Sequence, residues 1–403
     1  MDYKAQDKIS AFTSKHAIGM ITIAQLFGTS LWFSANSAAM DLMREWQITV
    51  ADIGWLTNAV QAGFIIGTFF IAFTGFADRF KASVIFTVAA LLGALFNLCF
   101  AWLAHGLIDG MAYRFAVGVC LAGIYPIGMK LVVQWAPNRA GQVLALLVAM
   151  LTLGSALPHA LNGFSTQLNW HYVITFSSLL AALAALLIFL LGDNSTVTPT
   201  VSSKNKQVFQ VFKVTKFRAS ALGYFGHMWE LYAFWTILPV YIAHTGIVER
   251  LNLANLALTT FFIMASGAIG CLIGGACAKR YGSDRVAIAA LMTSGLSCLV
   301  FVLGWQTLPD WFLLFIFILW AVSVIADSPQ FSALSAAACP PEKLGAGLAL
   351  QNSIGFAITI ISIALTTAAF DQIGLDSAWI LLIGPVLGIM GFYLTLCQKL
   401  TKS

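Results

Sequence analysis

A chain of 403 residues would ordinarily divide into two or three soluble domains. With 60% hydrophobic and only 9% charged residues, against about 25% charged in a soluble domain, it has far too little polar surface for that. The formal net charge of +5 is carried by basic residues placed between apolar stretches, a pattern that excludes nucleic acid as the expected partner and makes the chain an integral membrane protein.

In chain order the apolar stretches cover 17–39, 51–73, 82–104, 108–130, 140–163 and 170–191, then 219–243, 253–277, 286–306, 311–336, 346–369 and 377–397. Each is long enough to cross a hydrocarbon core of ~30 Å at 1.5 Å per residue. Backbone polar groups cannot go unpaired in lipid, so the spans are predicted to be helices. The expected fold class is an all-α membrane protein with twelve transmembrane helices. Ser37-Ala38-Ala39 at the end of the first span has the small residues of a signal-peptide cleavage site. The span's length, its Trp32 and Asn36, and its counterpart in the second half favour a retained helix instead. Between the sixth and seventh spans lies a polar stretch rich in Ser, Thr, Lys and Asn. It divides the chain into a first six-helix bundle (1–192), a linker (193–218) and a second six-helix bundle (219–403).

If the N-terminus is cytoplasmic, 18 of the 21 Lys and Arg fall on the cytoplasmic side, and only Arg44 and Arg250 face outside. That is the distribution of a multi-pass protein of the cell membrane with both termini in the cytoplasm. The seven cysteines lie in or at the ends of apolar spans without metal-ligand spacing, so no zinc site or disulfide framework is implied and no cofactor is expected.

The two halves resemble each other at a shift of about 200 residues, as expected of parallel repeats related by an axis along the membrane normal. Leu26-Phe27-Gly28 aligns with Tyr224-Phe225-Gly226, Asp78-Arg79 with Lys279-Arg280, and Gly141 and Gly154 with Gly345 and Gly355. Thr74-Gly75-Phe76-Ala77-Asp78-Arg79-Phe80-Lys81 resembles the cytoplasmic loop signature of the major facilitator superfamily, with its Asp-Arg pair kept and its first and last glycines replaced by Thr74 and Lys81. Arg114-x-x-x-Gly118 is similar to that family's buried-arginine motif, and Gly154-x-x-x-Pro158 partly resembles its glycine-proline motif. The resemblance covers essentially the whole chain. It implies two six-helix bundles rocking about a midplane site, with Asp78, Arg79 and Arg280 in gating loops.

Away from their ends the spans enclose three formal charges, Arg114, Glu230 and Asp327. An ionisable group at that depth costs at least a few kcal/mol and is by default a functional residue. Glu230 sits roughly 16 Å into the seventh span, close to the midplane, with His227 three residues away on the same face. This pair is expected to couple transport to protons or another ion; the alternative is a permanently neutral carboxyl bonded to a neighbouring helix. Asp327 is in the inner half of the tenth span beside Pro329, on one face with Trp320 and Ser323. It reads as a second protonation site, a sodium ligand or an inner-gate contact, or else as a carboxylate bonded to freed backbone groups.

Arg114 presents a planar fork suited to carboxylate or phosphate, and its face continues through Gly118, Ala122 and Tyr125. It is expected to bind an anionic substrate group or to pair with Glu230. Trp32 and Asn36, Asn58 and Gln61, His159 and Asn162, and Gln351 and Asn352 are further candidates for a central cavity; the competing role for each is helix–helix hydrogen bonding. There is no Gly-x-x-x-x-Gly-Lys-Ser/Thr loop and no His-Glu-x-x-His helix, so neither ATP hydrolysis nor metalloprotease chemistry is expected. The expected protein is no enzyme. It is a monomeric secondary transporter of a small polar organic solute, with a carboxylate-bearing metabolite as the leading candidate. Proton-driven efflux of drugs or metabolites, suggested by Trp32, Phe234, Trp235 and Trp320, is the second reading, and a transporter-like receptor the third.

Overall fold

The computed structural model describes residues 3–136, 140–164, 169–194, 208–340 and 343–400. It is built from helices α1 (Tyr3–Thr29), α2 (Ser34–Ser37), α3 (Ala39–Trp46), α4 (Val50–Thr74), α5 (Phe76–Arg79), α6 (Ala82–Leu103), α7 (Leu107–Leu121), α8 (Tyr125–Trp135), α9 (Ala140–Phe164) and α10 (Trp170–Leu191). The second half holds α11 (Thr215–Thr245), α12 (Ile247–Arg250), α13 (Leu256–Tyr281), α14 (Ser283–Gly304), α15 (Asp310–Ala326), α16 (Ser328–Ala338), α17 (Leu344–Ile373) and α18 (Trp379–Leu400). Among the described residues nine spans are long and apolar enough to cross a membrane, one of which, Gly345–Cys397, takes in both α17 and α18. With α1 and α11, which carry more polar residues, the order is consistent with twelve crossings. Most of the expected linker, 195–207, lies outside the described residues.

The two bundles repeat one packing scheme. In the first, α4 packs on α7, α6 on α10, and α1 on α9 and α10; in the second, α13 packs on α15, α14 on α18, and α11 on α17 and α18. Two further pairs, α4 with α17 and α9 with α13, join the bundles to each other. The closest approaches are made at glycine. A side chain at Gly63 on α4 would collide with the Phe115 carbonyl, and one at Gly118 on α7 with the Val60 carbonyl, so the family-like Arg114-x-x-x-Gly118 motif owes its glycine to helix contact.

Three of the predicted spans are broken where the sequence suggested continuous helices. The first is interrupted by turns at Ser30–Phe33, the fourth at Ala122–Ile124, and the tenth at Asp327. The last two interruptions are equivalent, since Pro126 and Pro329 occupy the first turns of α8 and α16. Proline has no N–H to give and its ring excludes the preceding turn, so each repeat bends its fourth helix at the same place.

Candidate functional site

Glu230 is the central residue of the 31-residue helix α11, with fifteen residues on either side, and it is fully buried. Its Oε2 accepts a hydrogen bond from Ser294 on α14 at 2.8 Å, and its Oε1 accepts one from the indole of Trp320 on α15 at 2.7 Å. Phe234, one turn along α11, stacks on the Trp320 ring at 4.4 Å. Both partners are neutral donors. Trp320, expected to touch substrate, is here a partner of the carboxyl group, and Ser294 is a member of the site that the sequence reading missed.

His227 does not join Glu230. Its Nδ1 lies 2.7 Å from Asp327 Oδ1, an ion-pair contact when the imidazole holds its second proton. The two groups are not aligned as a hydrogen bond, and both ring nitrogens and both carboxylate oxygens lack other hydrogen-bond partners. Asp327 stands at the break between α15 and α16, so the second acid is fixed at a hinge while the first sits in an unbroken helix.

Arg114 departs furthest from expectation. Its Nη1 donates to Ser34 Oγ at 3.1 Å and to Asn97 Oδ1 at 3.0 Å. Its Nη2 donates to the carbonyls of Leu31, at 3.1 Å, and Trp32. Four of its five donors are thereby used; Nε alone is unpaired. The carbonyls it holds are those released by the break after α1, where no helical N–H reaches them. Neither the free fork for a substrate nor the alternative pairing with Glu230 is present. Asn97, absent from the sequence-derived candidates, completes this network by donating to Ile174 O at 3.2 Å and Ser178 Oγ at 3.0 Å on α10.

Arg114 thus positions Trp32, whose ring lies between the bundles. Its centroid is 4.9 Å from Phe64 on α4, 5.6 Å from Tyr232 on α11 and 5.9 Å from Phe356 on α17. Phe33 and Trp235 extend the cluster at 5.7 Å. Among the described residues the indole nitrogens of two members, Trp32 and Trp235, are buried without hydrogen-bond partners, as are both amide ends of Gln61 on α4 and Gln351 on α17 and Nε2 of His159 on α9. A buried polar group left unpaired costs about 1–3 kcal/mol, so the two indole N–H groups of the cluster are available to a hydrogen-bond acceptor.

The remaining candidates are distributed as follows. Asn36 donates to Thr57 Oγ1 at 2.9 Å and Asn58 to the Ile360 carbonyl at 3.1 Å across the bundle interface, while Asn162 donates to the Ser37 carbonyl at 2.6 Å. These three serve as helix–helix ties. Tyr125 opens α8 at the bend, and Asn352 is partly buried on α17. Arg79 is exposed at the end of α5, whereas the side chain of Asp78 lies outside the described residues. The loop carrying it is tied to α8 by Lys130, which donates to the Ala77 carbonyl. The Arg280 guanidinium lies 5.3 Å from the Tyr281 ring centroid.

A pair of repeated bundles consistent with twelve crossings, with two acids buried in the second bundle, defines a membrane carrier fold. The chain belongs to the Major Facilitator Superfamily, whose model it matches over residues 20–362; it is a transporter of that family. It is 29% identical over 140 residues to the niacin transporter NiaP of Acinetobacter baylyi, a stretch covering 34% of this chain and 31% of that protein. Among solved structures it is similar to a bacterial homologue of the human lysosomal transporter Spinster in an inward-facing, unoccupied conformation (TM-score 0.67, 14% identity, 95% of each chain covered). It is also similar to a mutant of the nucleoside transporter NupG (TM-score 0.70, 12% identity, 94% of this chain and 99% of that one covered). At such identities these two likenesses concern the fold alone.

Proposed function

We propose that this protein is a proton-coupled secondary transporter that carries a small polar organic solute by alternating access. The observation that carries the reading is Glu230: a carboxyl group at the centre of a membrane helix whose partners are a hydroxyl and an indole N–H. Among the described residues no Lys, Arg or His pairs with it, so its charge state is set by proton exchange when the site opens to water. Asp327 with His227 is a second exchange site at the α15–α16 hinge.

The solute reading rests on the inter-bundle aromatic cluster and its unpaired indole N–H groups. Flat rings on several sides suit a planar ring, and the indole N–H groups suit a carbonyl or carboxylate upon it. The partial likeness to a niacin transporter makes nicotinate the first compound to try. The test is uptake into proteoliposomes of nicotinate, nicotinamide and other aromatic solutes, with and without an imposed pH gradient. Gradient-driven accumulation that disappears in Glu230→Gln, while counterflow exchange persists, supports the reading. Undiminished accumulation in that variant removes Glu230 from the coupling.

A further inference from the structure

The second bundle has an apolar slot lined by residues of α13, α14 and α15. The slot has a volume of about 470 Å³, with Ile273, Gly274, Val286, Ala290, Leu319 and Val322 among its walls. It runs from Arg285 and Tyr281 at the loop joining α13 to α14 as far as Thr293, a depth of about 12 Å along α14. Its two aliphatic hydroxyls donate within their own helices: Thr293 to the Ala289 carbonyl at 2.8 Å and Ser323 to the Leu319 carbonyl at 2.7 Å. These hydroxyl hydrogens are thus already used, and the remaining wall between these groups is mostly apolar.

The mouth has the opposite character. Arg285 is exposed at the rim, and no hydrogen bond or ion pair engages its guanidinium among the described residues. Lys279 and Arg280 lie in the last turn of α13, next in sequence to the lining residue Tyr281. Asp284, in the first turn of α14, is the single acid of this loop, so basic charge prevails by three to one. We propose that the slot binds one anionic phospholipid, with an acyl chain between the three helices and the phosphate at Arg285. Basic rims of grooves between membrane helices recognise such headgroups, each Lys or Arg near the surface contributing about 1 kcal/mol. The lipid lies behind the walls of the acid site: Thr293 adjoins Ser294, and Ser323 is one turn from Asp327.

Native mass spectrometry of the purified full chain, titrated with phosphatidylglycerol or phosphatidylcholine of identical chains, tests this. One phosphatidylglycerol is expected to be retained in preference to phosphatidylcholine. Arg285→Gln should reduce that preference about fivefold, the equivalent of one basic residue. Ala289→Phe, which fills the slot from its exposed edge without touching charge, should weaken both lipids and leave a smaller preference. Equal retention of the two lipids, or an unchanged preference in Arg285→Gln, overturns the proposal. So does thermal stabilisation by soluble glycerol 3-phosphate equal to that by phosphatidylglycerol, since a phosphate site without the slot would then suffice.

Discussion

The carboxylate of Asp371, near the end of α17, accepts hydrogen bonds from the main-chain amides of Val50, at 3.2 Å, and Ala51, at 3.0 Å, at the start of α4. One bundle thus caps a helix of the other. The next amide, that of Asp52, is held by the N-cap residue Thr49 just before α4, so the leading N–H groups of this helix are satisfied from two sources. The equivalent place in the other pair is closed differently: Asn255 caps α13 by accepting from Leu258 at 2.8 Å and donates to the Gly163 carbonyl of α9 at 2.9 Å. Both ties lie at the ends of the bundles away from the start of α1, so under the proposed alternating access both would part when that side opens.

Asp371→Ala is accordingly expected to favour opening at this end. An exposed acid at a helix N-terminus contributes about 0.3–1 kcal/mol, so the ratio of open to closed forms should rise by up to about fivefold. Spin-label distances between the outer ends of α4 and α17 measure it. Distances unchanged from the parent protein would show that the contact does not govern opening. Asp371→Asn, which keeps one acceptor, should fall between.

Much of this arrangement was legible in the sequence, and the part that was not has a physical reason. Twelve apolar stretches, a polar linker and the repeat at matched glycines are local or periodic signals, and they led to the fold. Glu230 announced itself as a charge at mid-membrane. What each charge touches depends on helix rotation and on breaks, which hydropathy does not report. Trp32 and Arg114 illustrate it: the turn at Ser30–Phe33 has no proline to mark it, and only once it exists does Arg114 have carbonyls to hold. Asn97 and Ser294 gave no signal beyond being polar residues in apolar spans. The equivalence of Pro126 and Pro329, by contrast, was available from the repeat and marks the two bends.

The His227–Asp327 contact should behave as a coupled pair. Removing one partner of a buried ion pair costs about 3–5 kcal/mol, because the other is left uncompensated. His227→Ala should therefore lower the unfolding temperature markedly, and the double variant His227→Ala/Asp327→Ala should recover part of the loss, with a coupling of about 0.5–3 kcal/mol. Additive losses in thermal unfolding would mean that the two groups do not depend on each other.

Arg114 is expected to reveal itself through stability. Arg114→Lys retains the charge but cannot reproduce a planar fork reaching Ser34, Asn97 and two carbonyls at once. Each carbonyl or amide oxygen left unpaired costs about 1–3 kcal/mol, so a clear fall in unfolding temperature should accompany the change. The substrate KM, measured below that temperature, should change alike for acidic and neutral solutes. A selective loss for carboxylate solutes would instead show that the guanidinium is released to the substrate during transport.

The most direct probe of the proposed solute site is Trp32→Phe. The substitution keeps a ring among Phe64, Tyr232 and Phe356 and removes the indole N–H, which has no partner among the described residues. Stability should hold or rise slightly, since an unsatisfied buried donor is eliminated. Transport of a solute that accepts a hydrogen bond from that N–H should weaken by about 0.5–1.5 kcal/mol, seen as a KM raised roughly two- to tenfold. Gln61→Leu and Gln351→Leu should act in the same direction for the same reason. A KM unchanged in all three variants, with stability intact, would place the solute away from the aromatic cluster.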